Sequence, residues 1–290
     1  MELSVTLDYL EHGRASATGR DLQTAARISR EGGIRYADYV TDFSRPDWEK
    51  RAHEEREILD REGIKVEQSH APMNRYGQWN DNDNFMEMFR RSFVCAKILG
   101  AKYMVVHADE STPLEHWDVK KIIEHKYGYI APMAEYCRAN GMCIAIENLF
   151  EDGMMGPGSA DGRSRFTSTV EEQIGIIERF ADPAVGACWD FGHAACANGY
   201  DGMTDALRAV GKYLMCTHVH DNNYRQDQHL IPFMGEIRWA DQMRCLKEIG
   251  YRGKLSLELV YGHIPDELMP AWMGFLVGAG NKLNEMYEAF

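Results

Sequence analysis

The chain has 290 residues, with 45 Asp and Glu against 32 Lys and Arg, giving a formal net charge of −13. At 44% hydrophobic and 27% charged residues it has the make-up of a soluble globular protein, which excludes intrinsic disorder, collagen-like repeats and a coiled coil. The acidic balance weighs against a nucleic-acid partner, because phosphate backbones are held by clustered Lys and Arg.

Cys95, Cys137, Cys143, Cys188, Cys196, Cys216 and Cys245 fall at irregular spacings, with no C-x-x-C. That pattern argues against a disulfide framework or a zinc knuckle and for buried free thiols in a reducing compartment. The first residues, MELSVTLDYLEHG, lack the basic start and long apolar run of a signal peptide. No window approaches the roughly 18 apolar residues of a membrane span. The expectation is a cytoplasmic protein with no membrane partner.

In chain order, short apolar runs at 4–8, 34–40, 64–69, 103–107, 142–147, 185–190, 214–220 and 254–260 have strand length. Between them lie amphipathic stretches of helical period, among them 48–61, 85–99, 120–139 and 169–180. Gly63, Gly100, Gly141 and Gly253 stand where several of these helices should stop. Strands alternating with helices imply parallel pairing through right-handed crossovers. Eight strands in this length predict an α/β fold, a (β/α)8 TIM barrel occupying 1–290 as one domain. An open doubly wound sheet is the competitor, but no G-x-G-x-x-G follows the first strand.

The polar residues fall at the strand ends. Strand 3 ends in Gln68-Ser69-His70, strand 4 in His107-Ala108-Asp109, and strand 5 in Glu147-Asn148. Strand 6 ends in Asp190-Phe191-Gly192-His193, strand 7 in His218-Val219-His220-Asp221, and strand 8 carries Glu258. In a barrel these ends converge on one mouth, where catalytic groups gather. Glu147, Asp190, a strand-7 histidine and Glu258 form a carboxylate and imidazole set without thiolate, suited to Mn, Mg, Co or Zn. Buried together, such groups are costly without a cation between them.

Ile146-Glu147-Asn148, Trp189-Asp190-Phe191-Gly192-His193 and His218-Val219-His220-Asp221-Asn222 make the chain resemble the xylose isomerase-like barrel superfamily. Asp227-Gln228-His229-Leu230, Gly235-Glu236-Ile237-Arg238-Trp239 and Leu257-Glu258-Leu259 extend the likeness. The branch it resembles is that of sugar isomerases and epimerases of the tagatose/psicose 3-epimerase type. The resemblance covers essentially the whole chain. It implies one divalent metal ion (Mn, Mg or Co, with Zn also admissible) held by Glu147, Asp190, His218 and Glu258. His218 is preferred to His220 because it forms H-x-x-D with Asp221.

The same resemblance implies a small sugar substrate touched by His70, His107, His193 and Arg225, with Glu147 and Glu258 moving the proton alpha to its carbonyl. His220, Asp227 and His229 are candidates without a settled role. Residue types and order also match the endonuclease IV branch, a three-zinc phosphodiesterase, although the loops offer little Arg or Lys to track DNA. The same residues would also serve a metal-dependent lyase or dehydratase acting on a keto sugar or glycoside, and the fold would serve a sugar-binding barrel without activity. The family's second glycine in G-x-G is absent at Gly235-Glu236-Ile237, which puts the geometry of that loop in question. Trp79, Trp117 and the 154–158 segment are candidates to line the mouth, and the apolar helix at 268–290 leaves a homo-oligomer open.

Overall fold

The computed structural model describes residues 1–7, 20–72, 82–107, 119–150, 169–259 and 264–290. Eight parallel strands close into a barrel: β1 Leu3–Thr6, β2 Tyr36–Asp38, β3 Lys65–His70, β4 Tyr103–His107, β5 Cys143–Glu147, β6 Val185–Asp190, β7 Leu214–Val219 and β8 Leu255–Leu257. Neighbours in sequence are neighbours in space, and β1 pairs with both β2 and β8. Between and after them run α1 Leu22–Glu31, α2 Trp48–Glu62, α3 Asn82–Leu99, α4 Val119–Asn140, α5 Val170–Phe180, α6 Phe191–Val210, α7 Trp239–Glu248 and α8 Met269–Glu288. The expected (β/α)8 barrel is the observed fold.

Alternation along each strand decides what faces the centre. Ile144, Ile146, Ala187, Trp189, Leu255 and Leu257 belong to the large buried cluster under the helices. The intervening residues Val105, Ala145, Cys188 and Cys216 form a separate buried cluster inside the barrel. Two residues further on, at the C-terminal ends, the same inward face carries His107, Glu147, Asp190 and His218. The polar groups therefore stand on an apolar floor.

Helix starts fix the strand ends that matter. Asp190 closes β6 and is also the N-cap of α6, its Oδ1 accepting from the His193 N–H at 2.6 Å. Thr169 and Glu172 form the capping box that opens α5. Several expected boundaries shift. The strand-2 run ends early, at Asp38, and the stop expected at Gly253 falls to Gly250, which takes φ 76° after α7. Glu258 lies just past β8, yet its N–H still donates to the Val219 carbonyl at 3.1 Å, so it keeps the ladder's direction. All seven cysteines are free thiols. Among the described residues no helix is long and apolar enough to cross a membrane.

Candidate metal centre

Glu147 is 1% exposed, Asp190 is fully buried, and His218 is 1% exposed. His218 Nδ1 lies 2.9 Å from Glu147 Oε1, 3.2 Å from Glu258 Oε2 and 3.9 Å from Asp190 Oδ2. Glu147, Asp190, His218 and Glu258 each offer a ligand atom, all within 4.8 Å of one another. Two further groups meet the same test: His70, His107 and Glu147, and His193, His220, Asp227 and His229. Glu147 belongs to the first two sets. Its Oε2 faces His70 Nε2 at 3.1 Å and His107 Nε2 at 3.0 Å, while Oε1 faces His218.

The charges explain one another. Burial alone would push the Glu147 carboxyl up, but the imidazoles of His218 and His107 together hold it well below the usual carboxylate range. Glu258 is depressed in the same way, against its own burial, first by His218 and then by His229. Burial opposes protonation of His218, yet the facing groups, Glu147 and Glu258 among them, carry its pKa well above the usual histidine value. His193 is likewise raised against burial, by Asp190 and Asp227, and His229 is pushed up to about 9, chiefly by Asp227. Without a metal, protonated imidazoles supply the positive charge that the carboxylates require.

Two buried carboxylate oxygens are left over. Glu258 Oε2 approaches His218 at an angle that makes no hydrogen bond, and Asp227 Oδ1 has no hydrogen-bond partner either. An unpaired buried carboxylate oxygen is costly, and a cation removes the cost. Three carboxylates and one imidazole are the donors a hard or borderline divalent ion takes. The residues fit the metal that the sequence implies.

His220 is placed apart from His218. Its Nε2 lies 3.0 Å from Asp190 Oδ1, and its ring stacks on His229 with centroids 4.1 Å apart. This seat exists because position 192 is glycine; a Cβ there would lie inside the His220 ring. His229 holds φ 48°, its Nε2 lies 3.0 Å from the acceptor Asp227 Oδ2 and its Nδ1 2.9 Å from the Glu258 carbonyl. Left-handed backbone at a non-glycine residue is a strain found most often at functional sites.

Asp221 organises the loop that carries them. Its carboxylate accepts from the Phe233 N–H at 2.8 Å, the Ile237 N–H at 3.1 Å and the Trp239 indole at 2.8 Å. Arg225 stands outside this assembly. It is exposed, and its backbone N–H donates to Asn223 Oδ1 at 3.1 Å in a turn that faces solvent. Asp109, Trp79, Trp117 and the 154–158 segment lie outside the described residues.

No sequence motif marks Asp38, and none assigns Asn148 a role. Asn148 pairs with the Asp190 backbone in both directions, at 2.9 Å and 2.8 Å, locking the ends of β5 and β6 together. Asp38 lies 3.0 Å from His218 Nε2. Its signal is position at a strand end, hidden because the apolar run continues through Tyr39 and Val40.

With the barrel and its ligand groups described, sequence comparison identifies the lineage. Residues 26–276 match the sequence model of the xylose isomerase-like TIM barrel. The chain belongs to that family. Among curated relatives, the uncharacterized protein MJ1311 of Methanocaldococcus jannaschii is 26% identical over 206 residues, 70% of this chain and 67% of that one. A D-tagatose 3-epimerase-like protein superposes with a TM-score of 0.72 at 23% identity, covering 98% of this chain and 99% of the other. IolI with a bound zinc atom superposes at 0.70 and 17% identity, covering 100% and 99%. At these identities the solved structures establish the fold.

Proposed function

We propose that the chain is a divalent-metal-dependent sugar isomerase or epimerase, working as a one-domain cytoplasmic enzyme on a small keto sugar. The observation that carries this reading is that Glu147 and Glu258, from opposite arcs of the barrel, meet the same nitrogen of His218 at 2.9 Å and 3.2 Å. Glu147, Asp190, His218 and Glu258 would hold the ion, with Mn, Mg or Co favoured by the oxygen majority and Zn compatible. When bound, a divalent cation supplies Lewis acidity that stabilises negative charge on a carbonyl oxygen next to the reacting carbon.

The residues do the rest. Both carboxylates are held ionised in the ion-free site; Glu147 would take the proton alpha to the carbonyl, and Glu258 would act as the second base on the opposite side. His70, His107 and His193 surround Glu147 on the side away from the apolar floor and supply hydrogen-bonding nitrogens for sugar hydroxyls. Similarity to a tagatose 3-epimerase-like fold supports a sugar as substrate. The test is a screen of ketohexoses in heavy water with the Mn-loaded protein, following deuterium at the carbons beside the carbonyl by NMR. Exchange that depends on metal and is lost in Glu147→Gln and Glu258→Gln is expected.

One observation favours a second reading. Glu147 joins two ligand groups, and a third group of His193, His220, Asp227 and His229 lies beside them, so the mouth offers donors for more than one cation. Such an array suits hydrolysis of a phosphodiester, in which neighbouring metals share the charge of attacking and leaving oxygens. Metal-dependent cleavage of an abasic-site duplex, with no ketose exchange, would select it.

A further inference from the structure

Asp38 ends β2 on the inward face and is 3% exposed, outside all three ligand groups. Its Oδ2 is 3.0 Å from His218 Nε2 and also accepts from Gln68 Nε2 at 3.3 Å. The opposite nitrogen of the same ring, Nδ1, faces Glu147, Glu258 and Asp190. The imidazole therefore has one carboxylate behind it and three in front. A cation binds histidine through a lone pair, so one ring nitrogen must be bare and the single remaining proton must sit on the other.

Three other histidines at the mouth are oriented by the backbone. His70 Nδ1 meets the Ala71 carbonyl at 2.8 Å, His193 Nδ1 the Asn148 carbonyl at 3.0 Å, and His229 Nδ1 the Glu258 carbonyl at 2.9 Å. A carbonyl only accepts, so each of these rings keeps its proton on Nδ1 and turns Nε2 to the cluster. His218 is reversed. Its Nε2 points across the barrel toward β2, and a side chain from that strand, not a backbone group, receives it.

We propose that Asp38 is a positioning residue for the metal centre: it fixes the proton of His218 on Nε2 and presents Nδ1, bare, to the ion held with Glu147, Asp190 and Glu258. Gln68 holds Asp38 in place by donating to the oxygen that receives His218. This rests on the metal-dependent reading above. A carboxylate in this position raises the basicity of the ligand nitrogen as well as fixing its orientation, and losing such a partner typically weakens metal binding about 10–100-fold. A merely structural Asp38 would instead contribute to barrel stability and leave tautomer and affinity alone.

The experiment measures Mn affinity by competition with a chromophoric chelator for wild type, Asp38→Ala and Asp38→Asn, beside the melting temperature of each ion-free form. In parallel, long-range proton–nitrogen NMR of histidine-labelled wild type, loaded with zinc as a diamagnetic probe, reads which His218 nitrogen carries the proton. The expected result is about 10–100-fold weaker binding in Asp38→Ala. Asp38→Asn should lose less, because its amide oxygen still accepts, and the wild-type spectrum should show Nε2–H with zinc on Nδ1. Unchanged affinity in a folded Asp38→Ala, or zinc on Nε2 of the wild type, overturns the proposal and leaves the metal reading standing. A wild type that binds neither Mn nor zinc overturns both. Should Asp38→Ala not fold, the wild-type spectrum decides.

Discussion

Glu147 divides its two oxygens between different partners: Oε1 lies 2.9 Å from His218 Nδ1, while Oε2 faces the imidazoles of His70 and His107. A single carboxylate thus ties β5 to β7 in one direction and to β3 and β4 in the other. Removing its charge should act on binding and chemistry at once. Glu147→Gln is expected to lower turnover by about 10²–10⁴-fold. Its metal content should fall as well, with the far-ultraviolet circular dichroism unchanged. Near-normal activity in this variant contradicts the assignment of Glu147 as both ligand and base.

The histidine charges give the ion-free protein a pH signature. His229 has a folded pKa of about 9 against the usual 6.5; burial opposes the rise, and Asp227, Glu258 and Asp190 overcome it. A raised histidine stabilises the fold fully below its unfolded value and loses that stabilisation as pH climbs through its folded value. Ion-free protein should therefore be most stable toward pH 6.5 and lose on the order of 3 kcal/mol from His229 as pH passes 9. Chelator-treated protein melted across this range checks the sign. Constant stability from pH 6 to about 9.5 would contradict the Asp227–His229 pairing.

Metal binding must displace the Nδ1 proton of His218, so affinity should rise with pH and the metal-loaded form should melt higher. At a free ion concentration about 100 times Kd the gain is about 2.7 kcal/mol. Paired melts with Mn and with a chelator measure it. Equal melting points at saturating ion would mean that the folded chain binds the ion no better than the unfolded one, which contradicts the site.

Gly192 tests a steric relationship. It faces the His220 imidazole so closely that Gly192→Ala must expel the ring from its contact with Asp190 Oδ1, otherwise 3.0 Å away. The expected cost is ~1–3 kcal/mol from overpacking. Because Asp190 also caps α6, metal affinity should drop along with stability. A variant as stable as wild type would show that His220 has another seat.

Much of this was legible in the sequence, because barrel geometry turns strand order into spatial convergence. Period-two alternation from Ala145 to Glu147 and from Cys188 to Asp190 places an apolar residue below each polar one. The helical stretches were bounded to within a few residues because Thr169 and the glycines mark their ends. Asp38 escaped because local hydrophobicity does not reveal where a β-ladder stops. The position of His220 depends on the space left by Gly192, a contact 28 residues away in sequence that no local pattern shows.

The missing second glycine also has a physical account. Gly235 packs against Asp221 and the Asn222 backbone, where a Cβ would collide. Ile237, two residues on, meets Asp221 Oδ1 through its N–H at 3.1 Å, and its side chain is buried. Asp221→Ala would strip the acceptor from Phe233, Ile237 and Trp239 together. We expect a loss of about 3–9 kcal/mol, at the ~1–3 kcal/mol typical of each of the three donors left unpaired, and faster proteolysis within the 221–238 loop. Wild-type cleavage rates would contradict the role given to Asp221.

The central claim is a divalent ion held by Glu147, Asp190, His218 and Glu258, and elemental analysis of protein purified without chelator or added metal tests it most directly. The account predicts one Mn, Co, Mg or Zn ion per chain, lost when His218 is replaced by Gln. Three zinc ions per chain would shift the mouth to phosphodiester chemistry, and no metal, even after dialysis against saturating Mn, would contradict the account.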